Sequence, residues 1–353
     1  MKEIIKTLAV RSKFFSKCIA IAMYITGYQN IRQELETFVE AGKRTDRRYV
    51  RRLMLDIYFS ELYYRISPDE YFLYQFENKT DEERRAYIGE AEKDMLCDEI
   101  GDAKSRRTLA DKYECYLYFK EFYGRDVIKI SGEEDRAVFE EFLSKHKDFI
   151  VKPVDRSGGE GIYRMTVENT NVDECFQKVI AGRPCIVEQC IEQKYEMARF
   201  HPQSVNTIRI GTFYNAGEVK ILFSTLRTGT GNAIADNARV GGLLASVNTA
   251  NGKIQSGGYT KRGKVYQAHP DTGCVFDGFQ IPYWQDLLDV VVKAARAFPQ
   301  HNYISWDFAL TDSGWIIVEA NSRGEFAAYQ IFFGGIRELF MKEFCKYKKQ
   351  KSM

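Results

Sequence analysis

The chain has 353 residues, of which 44% are hydrophobic and 28% charged, with a net charge of +2. That length accommodates two or three domains with a substantial core, and the near-neutral charge gives no electrostatic reason to expect a nucleic-acid partner. Eight cysteines and four histidines are scattered without a C-x-x-C pair, which argues against a disulfide framework or a zinc site and for a reducing, cytoplasmic setting.

Residues 1–28 alternate basic and apolar side chains before a short apolar run, Cys18 to Ile25. Eight residues cannot span a bilayer, which takes about 20, and no small-residue cleavage site follows, so neither an anchor nor a secretory signal is expected. A helix docked on the rest of the protein is the first expectation for this segment, and peripheral contact with a membrane surface the second. The basic bias continues through Lys43, Arg44, Arg47, Arg48, Arg51 and Arg52.

The pattern is then mostly helical up to Phe122. Tyr49 to Ile66 has helical apolar spacing, Ser67-Pro68 resembles an N-cap with proline at the first helical position, and Thr80 to Glu83 reads as a capping box. Asp111 is the expected cap of a helix from Lys112 to Phe122, stopped by Gly124. Beyond it the texture alternates: a strand at Val127 to Ile130, a helix at Glu133 to His146, a strand at Phe149 to Val154, and a Gly-rich turn at Asp155 to Gly161. A strand at Ile162 to Val167, a helix at Val172 to Ile180 and a strand at Cys185 to Gln189 follow. Long strands at Thr207 to Tyr214, Val219 to Thr228 and Leu243 to Val247 precede a helix at Trp284 to Phe298 and a closing helix at Ile336 to Tyr347. The class is α+β with a helical N-terminal region, divided as 1–108, 109–184 and 185–353.

Two segments near the C-terminus, Tyr303 to Thr311 and Trp315 to Ala320, have the β-branched and aromatic richness of buried strands. Treating Asp312-Ser313-Gly314 as a three-residue hairpin loop pairs Thr311 with Trp315 and Asp307 with Glu319. Asn321 then shares a face with Glu319 and Asp307. Opposed carboxylates repel unless a cation lies between them, and two carboxylates with an amide suit a hard ion such as Mg²⁺.

A second constellation surrounds Val151-Lys152-Pro153, where a lysine ends one strand and glycines 158, 159 and 161 follow in a loop. Such glycines let backbone N–H groups approach phosphate oxygens. No GKS or GKT is present, so this is not a Walker A loop. Glu188 ends a strand, and Arg209 and Arg227 lie within strands, where a buried guanidinium needs an anion. Lys112, in the first turn of a helix, gains nothing from the helix dipole, which favours a functional role. His201 and His269 read as structural histidines rather than substrate contacts, and the cysteines as core residues.

These residues resemble the ATP-grasp superfamily, in particular its branch associated with sugar transfer and polysaccharide biosynthesis. The similar stretch runs from about Leu109 to Phe340 through LADKYECYLYFKEFYG, FIVKPVDRSGGEGI, IVEQCIEQ, SVNTIRIGTF, LRTGTGNAIADNARVGGLLASV and SWDFALTDSGWIIVEANSRGE. The resemblance implies two α+β subdomains clasping ATP, and activation of a carboxylate as an acyl phosphate. By position it implies that Lys112 and Lys152 contact the nucleotide phosphates while Ser157, Gly158, Gly159 and Gly161 close over them. Glu188, Gln189, Cys190 and Ile191 would hold the adenine, and Glu196 the ribose. Asp307, Glu319 and Asn321 would bind one or two Mg²⁺ ions, Arg209 and Arg227 would steady the transferring phosphoryl group, and Asn237, Gly241 and Gly242 would border the acceptor pocket. Ser305 departs from the glycine that often precedes the Trp-Asp pair.

The expected activity is an ATP-dependent carboxylate–amine ligase, with a sugar or glycan carboxylate and an amine as substrates. Kinase-like phosphoryl transfer, a nucleotide-binding scaffold and glycosyl transfer are the rivals. The retained lysines and acidic ligands speak against a scaffold, and a lysine before a glycine loop speaks for a triphosphate over a nucleotide sugar.

Overall fold

A computed structural model describes residues 12–27, 31–154, 161–167, 171–181, 184–233 and 241–352. The chain groups into two compact units. One comprises Met1–Glu99, Arg262–Lys264 and Glu325–Met353, and the other Ile100–Lys261 and Val265–Gly324.

The first unit is helical. Its helices include Lys13–Thr26, Arg47–Tyr63, Pro68–Leu73, Glu90–Asp98, Ala327–Phe333 and Arg337–Lys351. The expected caps are present: Ser67 with Glu70, and Thr80 with Glu83, form capping boxes. The core is rich in aromatic rings, with Tyr58, Tyr71, Tyr74, Phe76 and Tyr87 packed around Ile57 and Ile66. Among its buried polar groups, Arg84 makes a bidentate bond to Asp56 (2.7 and 2.8 Å) and donates to the Phe76 carbonyl.

The C-terminal helices belong to this unit, unlike the expected division at 185–353. Gln330 is the reason at the level of side chains. Its Oε1 accepts from the Ile88 N–H at 2.8 Å, and its Nε2 donates to the Ile88 carbonyl and the Tyr74 hydroxyl. Arg337 adds a bidentate pair with Glu92.

The second unit holds two antiparallel sheets. Strands β1 (Val127–Ile130), β2 (Asp148–Pro153), β3 (Tyr163–Thr166) and β4 (Cys185–Gln189) form the smaller one, in the order β1-β4-β2-β3. Strand β4, placed by the sequence reading at the start of a following subdomain, instead sits between β1 and β2. The helices Arg136–Lys145 and Val172–Ile180 contribute Phe139, Phe142 and Phe176 to a core shared with Phe149 and Val187.

The larger sheet contains β5 (Thr207–Asn215), β6 (Glu218–Thr228), β7 (Leu243–Ser246), β8 (Gly258–Tyr259), β9 (Val265–Tyr266), β10 (Tyr303–Thr311) and β11 (Gly314–Asn321), in the order β11-β10-β5-β6-β7-β8-β9. The short pair β8 and β9 has no counterpart in the sequence reading. Away from the register shifts beside Gly211 and Asp307, side chains of the long strands alternate between two faces. Ile208, Ile210, Leu226, Trp306 and Phe308 join Leu287 and Val291 of the helix Trp284–Ala297 in one core. Arg209, Arg227, Ser305 and Asp307 occupy the intervening positions and so project from the opposite face.

Candidate active site

Asp307 pairs with Glu319 across β10 and β11, as expected, but by another route. Thr311 pairs with Gly314 and Leu310 with Trp315, so the hairpin loop is the two residues Asp312 and Ser313, not three. Gly314 takes φ +111°, a conformation that favours glycine. The pairing then shifts by one between Asp307 and Phe308, where Ile317 faces Phe308 and Glu319 faces Asp307. This β-bulge inserts Val318 and restores the register that the three-residue loop would have produced.

On the other side of β10, Asp307 faces Arg209 of β5, and Arg227 lies on the next strand, β6. The arginines converge on the carboxylate. Arg209 donates through Nε and Nη2, each at 2.7 Å, and Arg227 through Nη1 at 2.7 Å. Asp307 is only 3% exposed. Burial alone would raise its pKa, but the two guanidinium charges and their hydrogen bonds outweigh that and hold the carboxyl below its ordinary range. The anion that the strand arginines require is therefore Asp307.

Those bonds limit what Asp307 can offer a cation. Oδ2 accepts from both arginines and Oδ1 from one, leaving one lone pair free on Oδ1. Glu319 is half-buried beside it, and Asn321 pairs with Ser305 two residues away. The same face carries three buried side-chain atoms without a hydrogen-bond partner among the described residues: Asn321 Nδ2, Ser305 Oγ and Thr225 Oγ1. The amide of Asn321 can be turned so that its oxygen occupies that position. Among the described residues no three His, Cys, Asp or Glu side chains form a metal cluster. Two carboxylates and an amide oxygen nevertheless match the hard-ion chemistry of Mg²⁺, so the donor set fits.

A second ionic cluster lies on the smaller sheet. Lys152 of β2 donates to Glu188 Oε2 at 2.9 Å, and Arg125 donates to the same oxygen from Nε and Nη2 at 3.0 and 2.9 Å. Burial would raise the Glu188 pKa, but the charges of Arg125 and Lys152 hold it at about 2. With Oε2 engaged by two cations, Glu188 anchors Lys152.

Arg125 is the residue that sequence reasoning missed. Its remaining donors reach the carbonyls of Tyr123 (3.2 Å), Ile317 (2.6 Å) and Val318 (3.3 Å). Val318 is the inserted residue and Ile317 precedes it, so one guanidinium ties the anchor of Lys152 to the irregularity that places Glu319. Its position directly after Gly124, in a helix-to-strand connection, carries no motif. The only available signal was an arginine adjoining a buried strand.

Lys112 is half-buried at the first position of the helix Lys112–Tyr118, which Asp111 caps through the N–H groups of Tyr113 and Glu114. Gln189 ends β4 and exchanges hydrogen bonds with the backbone of Asp126. Cys190 and Ile191 follow it, half-buried, and Glu196 is half-buried on the short helix Tyr195–Ala198. Burial pushes the Cys190 thiol up to about 12, which makes it unreactive. Ser157, Gly158, Gly159 and Asn237 lie outside the described residues. Gly161 and Gly241 both take positive φ, and Gly242 is buried.

The two central histidines are satisfied. His201 Nδ1 accepts from the Ser204 N–H, leaving Nε2 to donate to the Gly231 carbonyl at 2.9 Å. His269 Nδ1 accepts from the Asp271 N–H, and its Nε2 donates to the Gly229 carbonyl at 2.8 Å. Both hold the chain that leaves β6 after Arg227. Thr230 Oγ1 donates to the Gly241 carbonyl at 3.0 Å.

A family model for sugar-transfer associated ATP-grasp proteins matches residues 107–342. That match defines the class of the chain as ATP-grasp. The chain belongs to the sugar-transfer associated ATP-grasp family. Solved structures with a similar chain path include D-alanine–D-alanine ligase from Bacillus anthracis, at 13% identity over 71% of this chain and 72% of that one, with a TM-score of 0.44. N5-carboxyaminoimidazole synthetase from Staphylococcus aureus, complexed with ADP, matches at 12% over 73% and 58%, with a TM-score of 0.46. The ATP-grasp ligase PsnB, complexed with minimal precursor, Mg and ADP, matches at 11% over 70% and 62%, with a TM-score of 0.41. The chain spans less than two thirds of the latter two proteins. No curated protein matches it.

Proposed function

We propose that the protein joins a carboxylate to an amine at the expense of ATP, through an acyl phosphate, and that the carboxylate belongs to a sugar or a polysaccharide precursor. The observation that carries this reading is the Asp307 cluster: a buried carboxylate facing Glu319 on one side and holding two arginines on the other. The family description, with its association to sugar transfer, supports the choice of acceptor class.

In this reading the γ-phosphoryl group of ATP passes to a carboxylate oxygen, releasing ADP, and the amine nitrogen then attacks the acyl carbon, releases phosphate and loses a proton. Lys112, Lys152 and the loop containing Ser157, Gly158, Gly159 and Gly161 hold the phosphates. Gln189 and the backbone at Cys190 and Ile191 hold the adenine, Glu196 holds the ribose, and Glu188 keeps Lys152 in place. Asp307, Glu319 and Asn321 would hold one or two Mg²⁺ ions, which neutralise phosphate charge during transfer. Arg209 and Arg227 present fixed positive charge where the phosphoryl oxygens become more anionic, and this stabilises the transition state without reorganisation. Asn237, Gly241 and Gly242 border the acceptor.

Calorimetric titration with a non-hydrolysable ATP analogue, with and without Mg²⁺, tests the nucleotide site. ADP release and mass spectrometry on carboxylate and amine pairs then test the reaction. An amide product formed together with ADP supports the ligase. ADP with a phosphorylated acceptor and no amide replaces it with a kinase, and a folded protein that binds no nucleotide refutes both.

A further inference from the structure

The helix Lys13–Thr26 has two apolar faces. One, through Ser16, Ala20 and Met23, is buried in the helical unit. The other carries Phe14, Cys18, Ile21 and Ile25, spaced four, three and four residues apart and therefore aligned in one stripe. Phe14 is 71% exposed, Ile21 49% and Ile25 75%, with Phe15 beside them at 57%. A run of large exposed apolar side chains on one helix face marks an interaction surface.

The surroundings of the stripe identify the partner. Lys17 and Tyr24 border it, seven residues apart on the same edge of the helix. The Arg51 guanidinium lies over the Tyr24 ring, 5.9 Å from its centroid. Arg47 and Arg48 stand one turn before Arg51 on the helix Arg47–Tyr63. Lys17, Arg47, Arg48 and Arg51 are exposed and form no ion pair among the described residues. Neighbouring acids are already engaged, Asp81 by Lys13, Glu77 by Arg52, and Asp46 by the Arg48 and Tyr49 N–H groups that it caps. An apolar stripe beside four exposed cations outside any ion pair among the described residues matches an acyl-chain boundary topped by anionic headgroups. The helix has 14 residues, too few to cross a bilayer, and no helix among the described residues is long and apolar enough to do so.

We infer that this face binds the surface of an anionic lipid bilayer, with Phe14, Ile21 and Ile25 entering the acyl boundary and Lys17, Arg47, Arg48 and Arg51 facing the headgroups. The site is independent of the ligase reading, because neither nucleotide nor acceptor takes part in it.

Co-sedimentation of the full chain with vesicles tests it, using phosphatidylcholine alone and phosphatidylcholine mixed with phosphatidylserine. The expected result is binding to the mixed vesicles that falls as salt is raised and is weak on neutral ones. Arg47→Gln/Arg48→Gln/Arg51→Gln should weaken it on the order of 100-fold, since each cation near such a surface is worth about 1 kcal/mol. Ile21→Asp/Ile25→Asp should abolish it, with circular dichroism checking that the helical fold is retained. Equal binding to both vesicle types, no binding, or binding indifferent to Ile21→Asp/Ile25→Asp would overturn the proposal. So would a lipid-free dimer in sedimentation velocity that the same double variant dissociates, because a second copy would then cover the stripe.

Discussion

Replacing Arg125 by methionine tests the link between the two ionic clusters. The change keeps an unbranched side chain but deletes three bonds to main-chain carbonyls and two to Glu188. Glu188, 4% exposed, would keep Lys152 as its only charged partner. Breaking a buried pair in this way costs about 3–5 kcal/mol. The titration of Glu188 provides a second measure. Its pKa falls from 4.5 to about 2 on folding, and at about 1.4 kcal/mol per pH unit that depression is worth roughly 3 kcal/mol. Because the folded value lies below the unfolded one, this stability is fully present above pH 4.5 and is lost as pH falls towards about 2. Urea denaturation at pH 7 of the wild type, Arg125→Met, Glu188→Gln and the double variant gives the coupling directly. The expected coupling is about 3 kcal/mol, and the stability difference between wild type and Glu188→Gln should shrink below pH 4.5. Affinity for an ATP analogue should fall in Glu188→Gln, since Lys152 loses its anchoring carboxylate there. Additive effects, or a cost in Arg125→Met of less than about 1 kcal/mol, would refute the linkage.

Asp307→Asn should cut ADP release on the order of 100-fold or more and destabilise the fold, because two arginines lose their shared anion; near-normal turnover would remove Asp307 from the site. Lys152→Ala should weaken calorimetric binding of the ATP analogue by about tenfold or more, while leaving the far-ultraviolet circular dichroism unchanged. Glu319→Gln should raise the Mg²⁺ concentration needed for half-maximal ADP release, and an unchanged Mg²⁺ profile would exclude Glu319 as a ligand. Gly324→Ala would place a methyl 1.9 Å from Ser305 Cβ, so its melting midpoint should drop by an amount matching about 1–3 kcal/mol.

Much of the architecture was legible in the residue pattern. The strands Val127–Ile130 and Cys185–Gln189 and the helix Val172–Ile180 lie where their apolar periodicity placed them. Local chemistry explains this: side-chain alternation, caps such as Thr80 with Glu83, and glycine stops such as Gly124 act within a few residues. The sequence also showed that Arg209 and Arg227 needed an anion, because a guanidinium inside a strand cannot remain unpaired. It did not show which one. Asp307 meets them only because β10 lies beside β5, a contact across 98 residues.

The hairpin shows the division between local and tertiary information. Alternation put Asp307, Glu319 and Asn321 on one face, but the loop length inferred from Gly314 was one residue too long, and the bulge at Val318 supplied the compensating residue. That bulge exposes carbonyls needing donors, and Arg125 supplies them from a segment 192 residues distant. Glu188 likewise became the anchor of Lys152 only once β4 lay between β1 and β2. Period and propensity are properties of neighbouring residues and can be read along the chain. The partner of a buried charge depends on which strands come together, and the energy of pairing exists only in the folded interior where water no longer screens it.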